Sequence, residues 1–352
     1  MAAIEVDIPQ LSPVPTPTNT TLAEDGDVIL ILWHESILHE RIRVSSAILS
    51  AASPVFKAML GPHFQEGQQA RSAERPREIE LPEDGAYGME IMLQWLHGNV
   101  DEAFGDDGHP CCVAHVAVHL DKYGCPRSFS LIGEALLKRC AEACTARCSG
   151  DDEELFETVA WSAKAAYLLK SSDLFTQFTR RLILDGTEPF SNIPKLAAGE
   201  QMPNKEILPV TVLLGMEEQR NKACNLLLSE LSRFTESCLR QSCTAIATST
   251  TFTLEMAHNQ EGERWPPLWA QQSLRSVLQG LDAGGDIVLG QTVSCNHKTR
   301  ELISRVALTA IRKTVEAEVY GMCFTCARQD KMQSTCEHTA KLKRRAARPL
   351  FV

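Results

Sequence analysis

No stretch of this chain approaches the roughly 18 uninterrupted apolar residues that a membrane span requires. The best candidate, around Ile207–Met216, is short and runs straight into charge. A basic excess is also missing. Lys and Arg number 35 against 45 Asp and Glu, a formal charge of −10, so no general field holds the protein on phosphate backbones and nucleic acid is disfavoured as a partner. The opening residues carry acidic groups and Pro9, Pro13, Pro15 and Pro17 where a secretory signal has a basic start and an apolar run. The expected location is therefore intracellular, in cytoplasm or nucleus. Gly-rich phosphate loops, a nucleophile elbow and HExxH are all lacking, and Gly284–Gly285 precede Asp286–Gly290 without the helix a phosphate cradle needs. Catalysis is not expected. Repeats of fixed period are missing too, which argues against a solenoid or propeller.

What is present is 352 residues, 44% of them hydrophobic, enough for two or three domains with cores of useful size. Residues 1–24, rich in Pro, Thr and Ser, read as a disordered leader. Asp27–Trp33 and Ser36–Arg43 are β-type runs around the polar pair His34–Glu35, which fits a hairpin. In Val44–Leu60, Ser45 or Ser46 is placed to cap one short helix, and Ser53 before Pro54 to start another. Arg77–Leu81 reads as a brief strand. Gly85–His97 reads as a buried helix ended by Gly98, and Val113–Tyr123 and Ser130–Cys140 as two more.

The order of these elements, and several words within them, resemble the BTB/POZ family. The matching residues are Asp27–Leu30, Ile48–Leu49, Ser53–Met59, Phe64–Gly67, Ile79–Asp84, Leu93–Gly98 and Asp121–Tyr123. Two departures stand out: Ser45 takes a position where the family commonly has His, and the segment between Gly98 and Val113 is longer and more acidic than usual. The resemblance implies an α+β domain over residues 25–150, a short sheet capped by helices, that acts by binding proteins. It implies self-association as a homodimer or docking of a partner, with Asp27, Phe64 and Glu66 as partner-binding residues. The Phe64-Gln-Glu66 triplet lies where family members that recruit cullin-type ubiquitin-ligase scaffolds carry a hydrophobic-x-Glu motif.

From Asp151 the periodicity is helical, with segments expected over residues 151–169, Ser171–Leu184, Gly215–Thr235 and Trp269–Leu281. A mainly α-helical region over 151–320 should therefore follow, a layout similar to that of fungal BTB proteins with a helical C-terminal region. Residues 321–352 form a basic tail containing Cys and His. With no export signal, the chain's 13 cysteines are expected as thiols or metal ligands rather than disulfides. Cys323, Cys326, Cys336 and His338 offer the four S and N donors of a structural zinc site. Only one residue separates Cys336 from His338, so Cys295 or His297 is an alternate ligand, and unliganded thiols are the competing reading. Cys140, Cys144 and Cys148 share a helical face and read as packing residues. Cys111 and Cys112 with His109, His115 and His119 form a weaker metal candidate.

These readings converge on a protein-interaction adaptor with protein partners and no membrane attachment. A cullin-ligase substrate adaptor, and a nuclear or transcription-associated regulator using the basic stretch Lys341–Arg348, stand as the alternatives.

Overall fold

The computed structural model describes residues 18–34, 37–99, 110–125, 132–139, 142, 152–193, 207–240, 273–282, 298–329 and 336–346. The chain divides into two compact units, residues 1–107 with 119–125 and residues 108–118 with 126–352.

The first unit is built on a four-stranded mixed sheet ordered β1-β3-β2-β4. The expected hairpin is β2 (Val28–His34) paired antiparallel with β3 (Ile37–Val44), in the register Val28↔Val44. In β2, Val28, Leu30, Ile31 and Leu32 are all buried, as befits a central strand. In β3 burial alternates, with Glu40, Ile42 and Val44 inside and Arg41 and Arg43 half-buried. The brief strand foreseen at Arg77–Leu81 extends to Gly85 as β4 and runs parallel to β2. α1 (Ser46–Ala52), α2 (Pro54–Met59) and α3 (Gln65–Gln68) lie between β3 and β4. α4 (Ala86–Leu96) buries Met89, Met92, Leu93 and Trp95 and packs on the sheet. α5 (Pro110–Lys122) crosses the division between the units.

The disordered leader expected to residue 24 is corrected over Thr18–Thr21, which form β1, parallel to β3. Besides its backbone pairing, β1 meets a carboxylate on the buried face of β3. The Glu40 carboxylate is almost fully buried and accepts a 2.7 Å hydrogen bond from Thr20 Oγ1. Burial raises its pKa, the Thr20 bond opposes this, and Glu90 adds to the rise. A buried carboxylate without a donor is costly, and β1 supplies one.

The second unit is helical, as expected. α6 (Asp152–Leu168) and α7 (Ser172–Asp185) pack as a pair, followed by a 3₁₀ turn at Phe190–Asn192. α8 (Val210–Arg240) overruns its expected span at both ends, and α9 spans Leu274–Asp282. α10 (Lys298–Glu318), unforeseen, packs on α8 and α9 through a face that includes Leu308, Ile311 and Val315. α11 (Phe324–Arg328) and α12 (Thr339–Ala346) complete the order. Residues described within 321–352 pack into this unit and do not stand apart as a tail, because Tyr320, Cys323 and Leu342 share one apolar cluster. No helix among the described residues is long and apolar enough to cross a membrane.

Between α10 and α11 the backbone runs buried through Val319–Cys323 outside any helix or strand. Side chains of α7 and α8 pair with six of its N–H and C=O groups. Gln219 Oε1 accepts from Tyr320 N and Gly321 N, at 2.9 and 3.0 Å, and Gln219 Nε2 donates to Gly321 O. Thr179 Oγ1 accepts from Met322 N, Thr176 Oγ1 donates to Met322 O, and Arg180 Nε donates to Val319 O at 2.7 Å. Gly321 sits at φ +79°, and a Cβ there would lie 2.1 Å from Thr176 O. Only glycine fits both constraints. We expect Gly321→Ala to destabilise the second unit by about 1–3 kcal/mol, read as a lower urea midpoint at unchanged slope in the full chain; an unchanged midpoint would show the strap to be loosely held.

Candidate interaction face and metal centre

In the first unit, Asp27 has a structural task. Its carboxylate accepts from Ser46 N at 2.8 Å, from Ser46 Oγ at 2.6 Å and from Arg71 Nε at 3.1 Å. Burial tends to raise its pKa, but the Ser46 bonds and the Arg71 charge outweigh it and leave the group below its ordinary value. The cap of α1 is therefore the Asp27 carboxylate, not the side chain of Ser45 or Ser46 as the sequence suggested. Ser53 does cap α2, its Oγ accepting from Phe56 N at 3.0 Å while donating to Tyr123 O at 2.6 Å.

Tyr123 closes this unit. Its ring stacks on Phe56 at 4.2 Å, and its hydroxyl donates to the buried carboxylate of Asp84 at 2.8 Å. Lys122 Nζ reaches the other Asp84 oxygen at 2.8 Å. Burial, then the Asp84 charge, drive the Tyr123 hydroxyl well above the usual tyrosine range. The Asp121–Tyr123 segment singled out in the sequence is thus the clasp between β4 and the end of α5.

Phe64 and Glu66 lie at the surface that this framework supports. Phe64 precedes α3 in extended conformation and is 52% exposed; Glu66, in the first turn, is half-buried. The loop beneath them is tight: a Cβ on Gly67 would come 1.8 Å from Gly61 O, and Gly67 N donates to Phe64 O. Exposed Ile48 and Val55 lie on α1 and α2, and the three helices pack in series.

In the second unit the four cysteine and histidine residues expected to ligate zinc come together. The Sγ atoms of Cys323, Cys326 and Cys336 and a ring nitrogen of His338 lie within 4.8 Å of one another. His338 Nδ1 is 3.5 Å from Cys323 Sγ and 3.9 Å from Cys326 Sγ. Cys323 is buried as the N-cap residue of α11, Cys326 lies inside that helix, and Cys336 and His338 lead into α12. Burial, then the adjoining Cys323 and Cys336 thiols, push the Cys326 thiol up to about 12.

This is the one such group among the described residues. The alternates Cys295 and His297 lie outside them, as do His109, Cys140, Cys144 and Cys148. The weaker candidate on α5 does not form such a group among the described residues. Cys111 and Cys112 are 3.9 Å apart, His115 stacks on Trp161, and within the first unit His119 faces Asp84 at 3.8 Å.

With this geometry established, residues 23–139 are found to match the model of the BTB/POZ domain. No curated protein and no solved structure matches the chain. The matched residues include β2–β4, the helix pair and the clasp, and the domain supports a protein-interaction role.

His97, read from the sequence only as the end of a helix, completes the start of α1. Its Nε2 accepts from Ser45 N at 3.1 Å and its Nδ1–H donates to Leu93 O at 2.8 Å, so the ring is held neutral. Burial lowers its pKa below the ordinary 6.5, the Leu93 bond opposing. A depressed folded-state pKa means that the stabilisation is complete above the unfolded value and is lost as pH falls through it toward the folded value. Thermal melts from about pH 7.5 down to about 5.5 should show stability falling below pH 6.5 in the wild type, and falling less steeply in His97→Gln. Parallel pH profiles would contradict the assignment.

Proposed function

We propose that this protein is an interaction adaptor whose BTB/POZ domain docks other proteins through the helical side of its sheet, with Phe64 as the principal anchor. The observation that carries this reading is an aromatic side chain more than half exposed on a loop whose backbone has no slack at Gly61 and Gly67. An exposed large apolar group on a rigid support costs little ordering on binding and suits a hot-spot role. Ile48 and Val55 extend the apolar character along α1 and α2. Asp27, by contrast, supports the face from beneath through Ser46 and Arg71.

A cullin-type ubiquitin-ligase scaffold is the partner favoured by the pairing of Phe64 with Glu66, an apolar anchor with a carboxylate two residues on. Self-association through the same domain is the other mode consistent with the family. Titration of the full chain into a purified cullin N-terminal region, alongside its light-scattering mass over a concentration series, separates the two. Phe64→Ala should weaken the cullin complex by at least about tenfold, the loss of a typical hot spot, while the melting temperature stays unchanged. No cullin binding with a concentration-dependent dimer mass would transfer the anchor role to self-association. Neither binding nor dimerisation would reject the adaptor reading of this face.

A further inference from the structure

We propose that Cys323, Cys326, Cys336 and His338, the last through Nδ1, form a closed tetrahedral zinc site that staples α11 to α12. With Zn–S near 2.3 Å and Zn–N near 2.0–2.1 Å, a regular tetrahedron has S···N edges of about 3.6 Å and S···S edges of about 3.8 Å. The S···N separations from Cys323 and Cys326, 3.5 and 3.9 Å, bracket the first value, and no ligand pair exceeds 4.8 Å. One intervening residue between Cys336 and His338 is short for zinc ligands. Use of the nearer ring nitrogen resolves this, because Nδ1 is the atom that faces the sulfurs. The set is then complete without a ligand from elsewhere in the chain.

The donor set selects the metal. Three thiolates and an imidazole are soft-to-borderline ligands, which suit tetrahedral zinc over magnesium or calcium. Four protein ligands leave no position for a substrate, so the role is structural. The cysteine protons leave to solvent as the metal enters, which makes binding pH-dependent.

The scaffold on either side is anchored independently of the ligands. Cys323 ends the strap held by Gln219, Thr176 and Thr179. In α11, the Phe324 ring packs edge-on to Phe175, and the Arg328 guanidinium lies 5.1 Å from the centre of the Tyr167 ring. In α12, Lys343 Nζ bonds Glu318 at 2.6 Å, and Leu342 is buried with Tyr320. Thr339 fixes the Cys336 end, its Oγ1 donating to Cys336 O at 2.7 Å and lying 3.7 Å from Cys336 Sγ. Such outer contacts orient ligands for a metal.

The test uses the full chain expressed with zinc in the medium. Elemental analysis should find about one zinc per chain, and cobalt substitution should give thiolate-to-cobalt charge-transfer absorption with tetrahedral d–d bands. Because His338 is exposed, His338→Ala should keep its helical circular dichroism. Its zinc affinity should fall by more than the roughly 10–100-fold expected of an outer-shell contact, with altered cobalt bands. Cys323→Ser/Cys326→Ser should abolish the charge-transfer band. Zinc-free wild-type protein that gives no tetrahedral cobalt spectrum would overturn the proposal, as would undiminished zinc affinity in His338→Ala.

Discussion

A peptide segment buried outside any helix or strand must still find partners for its N–H and C=O groups, and the second unit is arranged around that requirement at Val319–Cys323. Thr176, Thr179 and Arg180 from α7 and Gln219 from α8 supply the bonds, and Gly321 allows the close approach. Four polar side chains directed inward on two helices would be a liability if the strap were elsewhere. With it in place they fix the exit of α10 and the position of Cys323. The cysteine and histidine cluster thus inherits its geometry from a hydrogen-bonded support.

The first unit follows the same logic with charge in place of amides. Glu40, Asp84 and Asp27 are carboxylates on or beside the sheet, and each is answered by a donor distant in sequence: Thr20, Tyr123 with Lys122, and Ser46 with Arg71. These pairings join β1 to β3, β4 to the end of α5, and β2 to α1. They leave Phe64, Ile48 and Val55 exposed on the helical side. A domain so tied internally holds its exposed apolar side chains on a well-bonded framework, and a preorganised surface loses less entropy on binding.

Much of the first unit was legible because its signals are local. The alternation of Ile42 and Val44 with Arg41 and Arg43, the Ser53–Pro54 helix start and the apolar face of Gly85–His97 each follow from spacing. β1 was not legible, since Thr18–Thr21 resembles linker text and its pairing with β3, with the Thr20–Glu40 bond, joins residues about twenty apart. Asp27 and His97 as supports of α1 depend on contacts 19 and 52 residues distant. In the second unit, α10 carries a helical spacing in Leu308, Ile311 and Val315, three and four residues apart. The CxxC pair was the clear signal for the cluster, whereas use of His338 Nδ1 depends on the turn into α12 and is invisible to spacing. The strap was illegible because Gln219 and Gly321 are 102 residues apart.

Amide hydrogen exchange on the full chain, zinc-loaded and zinc-stripped, tests most directly whether the strap is the support and the metal the staple. Amides of 320–322 should stay protected in both states, while those of 326–328 and 336–342 should exchange faster once zinc is withdrawn. Opening of 320–322 together with 336–342 on zinc removal would contradict this, because the ligand geometry would then be created by the metal and not by the fold.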